Sequence, residues 1–314
     1  MKRYISSILI ALTLTMQVYA ENKESKEPEG VKFVPLFQYD YLSLDDQSIN
    51  STSAGLMINS EDVKFIGIYT HHSFSEDLPY NYPQVYHTID TLIDGKKNHH
   101  RYIGIFKSES DKPVAGGLST YTAASVYGYE IVQGEKFSLV MGGGLALGDF
   151  GIERSNGEPW PVIPVPFVRM QYESDSIETK FEFLTSPNFS FTLAPKSKIR
   201  FTGDFRMDQA RDIRDLIFEC TLAYRFFSAD HEMGDFAGVS LGFKNDNYGA
   251  FSIGDKDGEE SLEAHYYAVF GAIDLSILKI TGGYAFGGRE LYRDDIINDL
   301  GNGYFLSAQA LYQF

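Results

Sequence analysis

Gly301 to Phe314 reads GNGYFLSAQALYQF. Counted back in twos from Phe314, the residues Tyr312, Ala310, Ala308, Leu306 and Tyr304 are all apolar or aromatic. The interleaved set, Gln313, Leu311, Gln309, Ser307 and Phe305, is mixed and mostly small or polar. A period of two is the strand period, so this is a strand with one apolar face. Chain termini fray unless something holds them, and a bare Phe closing such a strand needs a partner.

The preceding strands carry the same pattern. Ile177–Leu184, Phe189–Leu193, Ile199–Met207, Leu216–Phe227, Phe236–Lys244, Leu262–Leu275 and Leu278–Leu291 each divide into two faces. One face holds runs such as Phe189, Phe191, Leu193 and Phe218, Cys220, Leu222, Tyr224, with no charged residue. The other holds Glu178, Lys180, Glu182, Arg200, Asp204, Arg206, Glu219, Arg225, Lys244, Asp274 and Lys279. A lipid surface excludes charge, because an Arg or Lys facing the bilayer midplane costs about 2–4 kcal/mol. A soluble sheet also alternates, but there the apolar face is the buried one.

The terminal strand and the one-sided strands before it resemble the closing region of a bacterial outer-membrane β-barrel. That resemblance implies a closed antiparallel up-and-down transmembrane barrel, with Tyr312 and Phe314 as the signal read by the barrel assembly machinery. It also implies outer-membrane lipid around the wall and a polar lumen lined by the charged set above.

Toward the N-terminus the strands are Val31–Leu42, with Phe33, Phe37, Tyr39 and Tyr41 on one face, then Thr52–Asn59 and Val63–Ser73. Ser119–Val132, Phe137–Asp149 and Val162–Tyr172 follow. Pro164 and Pro166 suit the start of a strand or a bulge. The count is about 14 strands, or 12 if weak segments pair differently. The stretch 74–117, with Pro79, Pro83 and an Asp94-Gly95 turn, reads as one long outer loop holding at most a hairpin near Tyr102–Phe106. Short and long connections roughly alternate, as periplasmic turns and outer loops do.

Met1 to Ala20 has the pattern of an export signal: Lys2 and Arg3, an apolar run Ile5–Leu14, and Val18-Tyr19-Ala20 before the cleavage point. Residues 21–30 (ENKESKEPEG) read as a charged, disordered lead-in. The barrel then occupies 31–314. Cys220 is the single cysteine, so no internal disulfide forms. The net charge of −16 speaks against nucleic acid as partner. The 21 Tyr and 24 Phe suit interfacial girdles.

The expected function is a porin-like channel for small hydrophilic solutes. The alternatives are a closed structural or adhesin-type barrel using the 74–117 loop, and a surface lipid hydrolase. His71 and Ser73 share a strand face, the spacing of a nucleophile and its base. They resemble the His-x-Ser-Asn of outer-membrane lipid hydrolases, although Phe74 replaces the Asn. His87, His99 and His100 lack a fourth ligand at metal-site spacing. Gly142–Gly148 (GGGLALG) lacks the Lys-Ser/Thr of a phosphate loop, so no cofactor is expected. Gly142, Gly144, Ala146, Gly148, Gly283 and Ala285 would leave open space in the lumen or let strands curve.

Overall fold

The computed structural model describes residues 31–78, 82–150, 160–184, 186–207, 216–227, 237–247, 251–254, 261–275, 277–292 and 295–311. The proposed export signal and lead-in, Tyr312 and Phe314 lie outside these described residues.

The strands are β1 (Lys32–Leu44), β2 (Ser48–Asn59), β3 (Val63–Phe74), β4 (Val85–Lys97), β5 (His100–Ser110), β6 (Tyr121–Gln133), β7 (Phe137–Leu147) and β8 (Val162–Glu173). They continue with β9 (Ile177–Phe183), β10 (Pro187–Leu193), β11 (Ile199–Met207), β12 (Leu216–Arg225) and β13 (Ala237–Asn247). The last are β14 (Phe251–Ser252), β15 (Ser261–Leu275), β16 (Leu278–Tyr292) and β17 (Asp295–Leu311). All but the two-residue β14 form one antiparallel ring of 16 strands. The ring closes where β17 pairs with β1, Tyr41 against Leu306 and Phe37 against Ala310. Among the described residues, a 3-10 turn at Leu118–Thr120 interrupts the β structure. Closure satisfies the backbone hydrogen bonds that hydrocarbon cannot.

The strand count exceeds the sequence reading by two, and both come from 74–117. That stretch is not one long loop, because β4 and β5 stand in the wall there. Their hairpin turns at Asn98-His99, Lys97 facing His100. Asn98 takes a left-handed φ of 55° there, a conformation Asn tolerates. Asp94-Gly95 lies inside β4, with Asp94 facing the lumen, so its turn-like sequence marks no turn.

The outer wall is apolar and exposed: Leu241 is 70% exposed, Tyr284 53% and Tyr102 54%. Rings run unbroken across it from Phe191 to Phe205, Phe218 and Phe243, then to Tyr267 and Phe286, with centroids 5.4–6.3 Å apart. Such a band suits the amphipathic edge of a bilayer.

Pro164 and Pro166 are tolerated for a visible reason. They pair with Leu145 and Gly143 of β7, whereas pairing of β8 with β9 begins only at Val168. Their missing N–H groups therefore remove no bond on that open edge. At the seam, a Cβ on Gly303 would overlap the Ser43 carbonyl oxygen. Gly303→Val is therefore expected to block closure, read as loss of the heat-modifiable folded band on gels; a normal band would contradict the seam.

Short turns gather at the end of the ring where β1 begins, here the turn end; the opposite is the loop end. At the turn end Lys196 hydrogen-bonds Asp175, and its ammonium holds that carboxyl below the usual carboxylate range. A depressed folded pKa gives stability that is present above the unfolded value and lost as pH falls through the folded one. The pair is exposed, so the effect is small. Lys196→Ala is expected to return Asp175 to ordinary titration, as followed by carboxylate NMR shifts.

Candidate functional site: the barrel lumen

Inward-facing positions follow the same alternation, and they fill part of the lumen. Along β5 to β8, Ile103, Ala124, Val126, Val140, Ala146, Val165 and Phe167 form an apolar cluster. Several small lumenal residues make room for large ones, whereas Gly142 stays exposed. A Cβ on Gly128 would meet Val140 and Phe167, and one on Gly283 would meet Phe270 and Phe305. Ala146 and Ala285 are buried.

Beside this cluster stands a charge network. Arg169 of β8, 6% exposed, donates to Glu182 of β9 at 2.6 Å and to Asp94 of β4 at 2.9 Å. Arg101 reaches Asp94 at 3.2 Å and Lys180 reaches Glu182 at 3.2 Å. Lys96 pairs with Glu130 at 3.3 Å. Glu182 pairs with Arg169 and Lys180, and Arg169 links it to Asp94.

Among the described residues, the remaining lumen includes two cavities of note. The one nearer the loop end, about 580 Å³, is bordered by Asp40, His72, Asp90, Arg206, Lys244 and Asp246 among others. The one nearer the turn end, about 440 Å³, is bordered by Glu178, Arg200, Thr221, Arg225 and Asp274. Glu219, Phe270 and Lys279 border both. Asp204 shares the β11 face of Arg200 and Arg206 and pairs in register with Glu219. Lys244 bonds Asp246 at 2.7 Å, and Arg225 bonds Asp274 at 2.7 Å. Half-buried Asp40 accepts two bonds from the Gln38 amide, at 2.8 and 3.0 Å.

At the loop end a strap crosses the mouth. Phe251 and Ser252 of β14 pair with Leu262 and Ser261 of β15, while Ser252 also pairs, in parallel, with Ser110 of β5. Those strands stand on opposite sides of the ring. Phe251 stacks on Tyr86 at 4.5 Å and meets the His72 ring edge at 4.9 Å. Ile49, Phe74, Leu78, Tyr82, Ile253 and Leu262 complete the cluster. The Gly254 N–H donates to Asp111 at 2.7 Å and pins the strap. His72 is further held by Ser51 at 2.8 Å and Thr88 at 2.9 Å.

His71 and Ser73 lie on the outward face of β3, with exposed Tyr69. The His71 ring is 5.3 Å from His87, whose Nδ1 bonds the Tyr69 hydroxyl at 2.7 Å. Among the described residues no hydrogen bond joins Ser73 to His71, so the nucleophile reading gains no geometric support. His99 and His100 sit at the turn end, far from His87, and His100 bonds Tyr127 at 2.6 Å.

The sequence reading missed Asp94, Arg101, Arg169, Asp40, Asp246 and Phe251. Period two was available for Asp40, between Tyr39 and Tyr41, and for Arg169, between Val168 and Met170. Nothing local announced Phe251.

No protein-family model and no curated protein sequence matches the chain. Among solved structures it superposes on CdiB from Acinetobacter baumannii with a TM-score of 0.50 at 9% identity, over 91% of this chain and 61% of that one. The chain thus spans less than two thirds of the length of CdiB. The fold is that of an outer-membrane β-barrel. The outer membrane protein OpdK from Pseudomonas aeruginosa is similar at a TM-score of 0.43 and 8% identity, over 92% of this chain and 100% of that one. OccAB1 of Acinetobacter baumannii gives 0.40 and 10%, over 93% and 99%.

Proposed function

We propose that this barrel is a porin-like outer-membrane channel for small hydrophilic solutes. The observation that carries the reading is the pair of polar cavities, about 580 and 440 Å³, joined at Glu219, Phe270 and Lys279. Together they run from beneath the strap to the turn end, within a wall whose outside is apolar. A barrel that was only an anchor would do better to fill this space, as β5 to β8 do, because interiors gain from close packing. Charged walls and an aqueous path suit hydrated solutes. Purified protein in planar bilayers is expected to give discrete conductance steps. A silent membrane at high protein load contradicts the channel.

One observation favours a second reading, a closed structural barrel: the strap with Phe251 obstructs the loop end. The adhesin form of that reading loses its surface, since most of 74–117 belongs to the wall. The same recordings separate the two readings.

Export through the signal at residues 1–20, and recognition of Tyr312 and Phe314 by the assembly machinery, belong to the proposal on the sequence pattern alone. Phe314→Ala is then expected to lower the outer-membrane yield in cells, without changing the folded band of protein refolded in detergent. Equal yield would contradict that role.

A further inference from the structure

The neck between the cavities is bordered by two side chains of opposite charge, Glu219 of β12 and Lys279 of β16, together with Phe270. Two pairs close by are committed to one another, Lys244 to Asp246 and Arg225 to Asp274, while Asp204 stands in register with Glu219 and adds to its negative side. Glu219 and Lys279 are not so committed. Glu219 accepts one long bond, at 3.3 Å, from the Thr221 hydroxyl. Lys279 makes no hydrogen bond or ion pair among the described residues, and no ion pair joins the two. Both are exposed to the lumen.

We infer that this neck selects small zwitterions, solutes carrying one ammonium and one carboxylate, of which amino acids are the simplest. The inference rests on the channel reading above. A lone cation gains from Glu219 what it loses to Lys279, and a lone anion the reverse. A neutral solute gains from neither. A zwitterion turned with its ammonium to Glu219 and its carboxylate to Lys279 gains from both. Two uncommitted opposite charges also set up a field across the neck that orients a dipole before contact. Phe270 lends the neck an apolar side, which lowers the local dielectric and strengthens both attractions.

The test compares alanine with lactamide, a neutral isomer of the same mass, in osmotic swelling of liposomes carrying the full barrel. Potassium chloride conductance is recorded on the same preparation. Alanine is expected to enter about threefold faster than lactamide, an advantage of attraction at the neck over size alone. Glu219→Gln and Lys279→Gln are each expected to bring the ratio to about one, and to shift ion preference in opposite directions, toward anions and toward cations. The exchange Glu219→Lys with Lys279→Glu keeps the pair and is expected to keep the ratio, which guards against variants that merely deform the barrel. Conductance with equal entry of the isomers overturns the inference and leaves the channel standing. A ratio unchanged by both glutamine variants overturns the assignment to these residues. Neither conductance nor uptake of either solute overturns the channel and the inference together.

Discussion

Phe251→Ala is expected to raise the open time and the conductance of single barrels. Phe251 is 2% exposed and stacks on Tyr86 beneath the loop-end mouth, so its ring is the main packing contact of the strap. Phe to Ala in a packed site forfeits about 3–5 kcal/mol. If about 3 kcal/mol of that holds the strap down, the equilibrium between strapped and open mouths shifts roughly 100-fold, at 1.4 kcal/mol per factor of ten. The wall strands keep their ladders, so the folded band on gels should persist. Asp111→Ala, which removes the acceptor of the Gly254 N–H, should move the records the same way by less. Identical recordings from wild type and Phe251→Ala would mean that the strap does not obstruct the path.

The second large effect is on stability. Arg169→Ala is expected to destabilise the barrel by about 2–3 kcal/mol, below the 3–5 kcal/mol of a fully buried broken pair. The discount has two sources. The side chains of Asp94 and Glu182 are 17% and 22% exposed, and each keeps a second cation, Arg101 or Lys180. Arg169→Met retains most of the volume and is expected to lose nearly as much, because the loss comes from two carboxylates left facing each other. Adding Asp94→Asn should recover part of it. Urea titrations in lipid vesicles measure this as a lower midpoint at unchanged slope. A midpoint shift confined to Arg169→Ala, with Arg169→Met neutral, would assign the effect to packing alone.

Much of the barrel is legible in the sequence because lipid imposes one rule on every strand: no charge on alternate residues. From Ile177 onward that rule is kept by Phe, Tyr, Leu and Ile, and the strands stand out. It fails to show β4 because the outward residues there include His87 and Thr91, and the inward ones include Asp90 and Asp94. Val85, Ile89 and Ile93 keep an outward stripe there, but His87 and Thr91 dilute it and Asp94-Gly95 supplies a false turn, so the segment reads as a loop. Lumenal charges such as Glu219 and Lys279 are legible for the same reason as the wall. Their partners are not. Arg169 meets Asp94 across the curvature of the ring, 75 residues apart, and no period in the chain encodes that distance. The strap is hidden too, since two residues pairing across the mouth leave no pattern.

The alternation can be tested at adjacent residues with one reagent. Cys220 is the sole cysteine and lies on the lipid-facing side of β12, whereas Thr221 borders the turn-end cavity. A charged, membrane-impermeant maleimide applied to the protein in liposomes is expected to leave Cys220 unmodified. The same reagent is expected to label Thr221→Cys in a Cys220→Ser background. Labelling of Cys220 with protection of Thr221→Cys would reverse the two faces and contradict the barrel in a membrane.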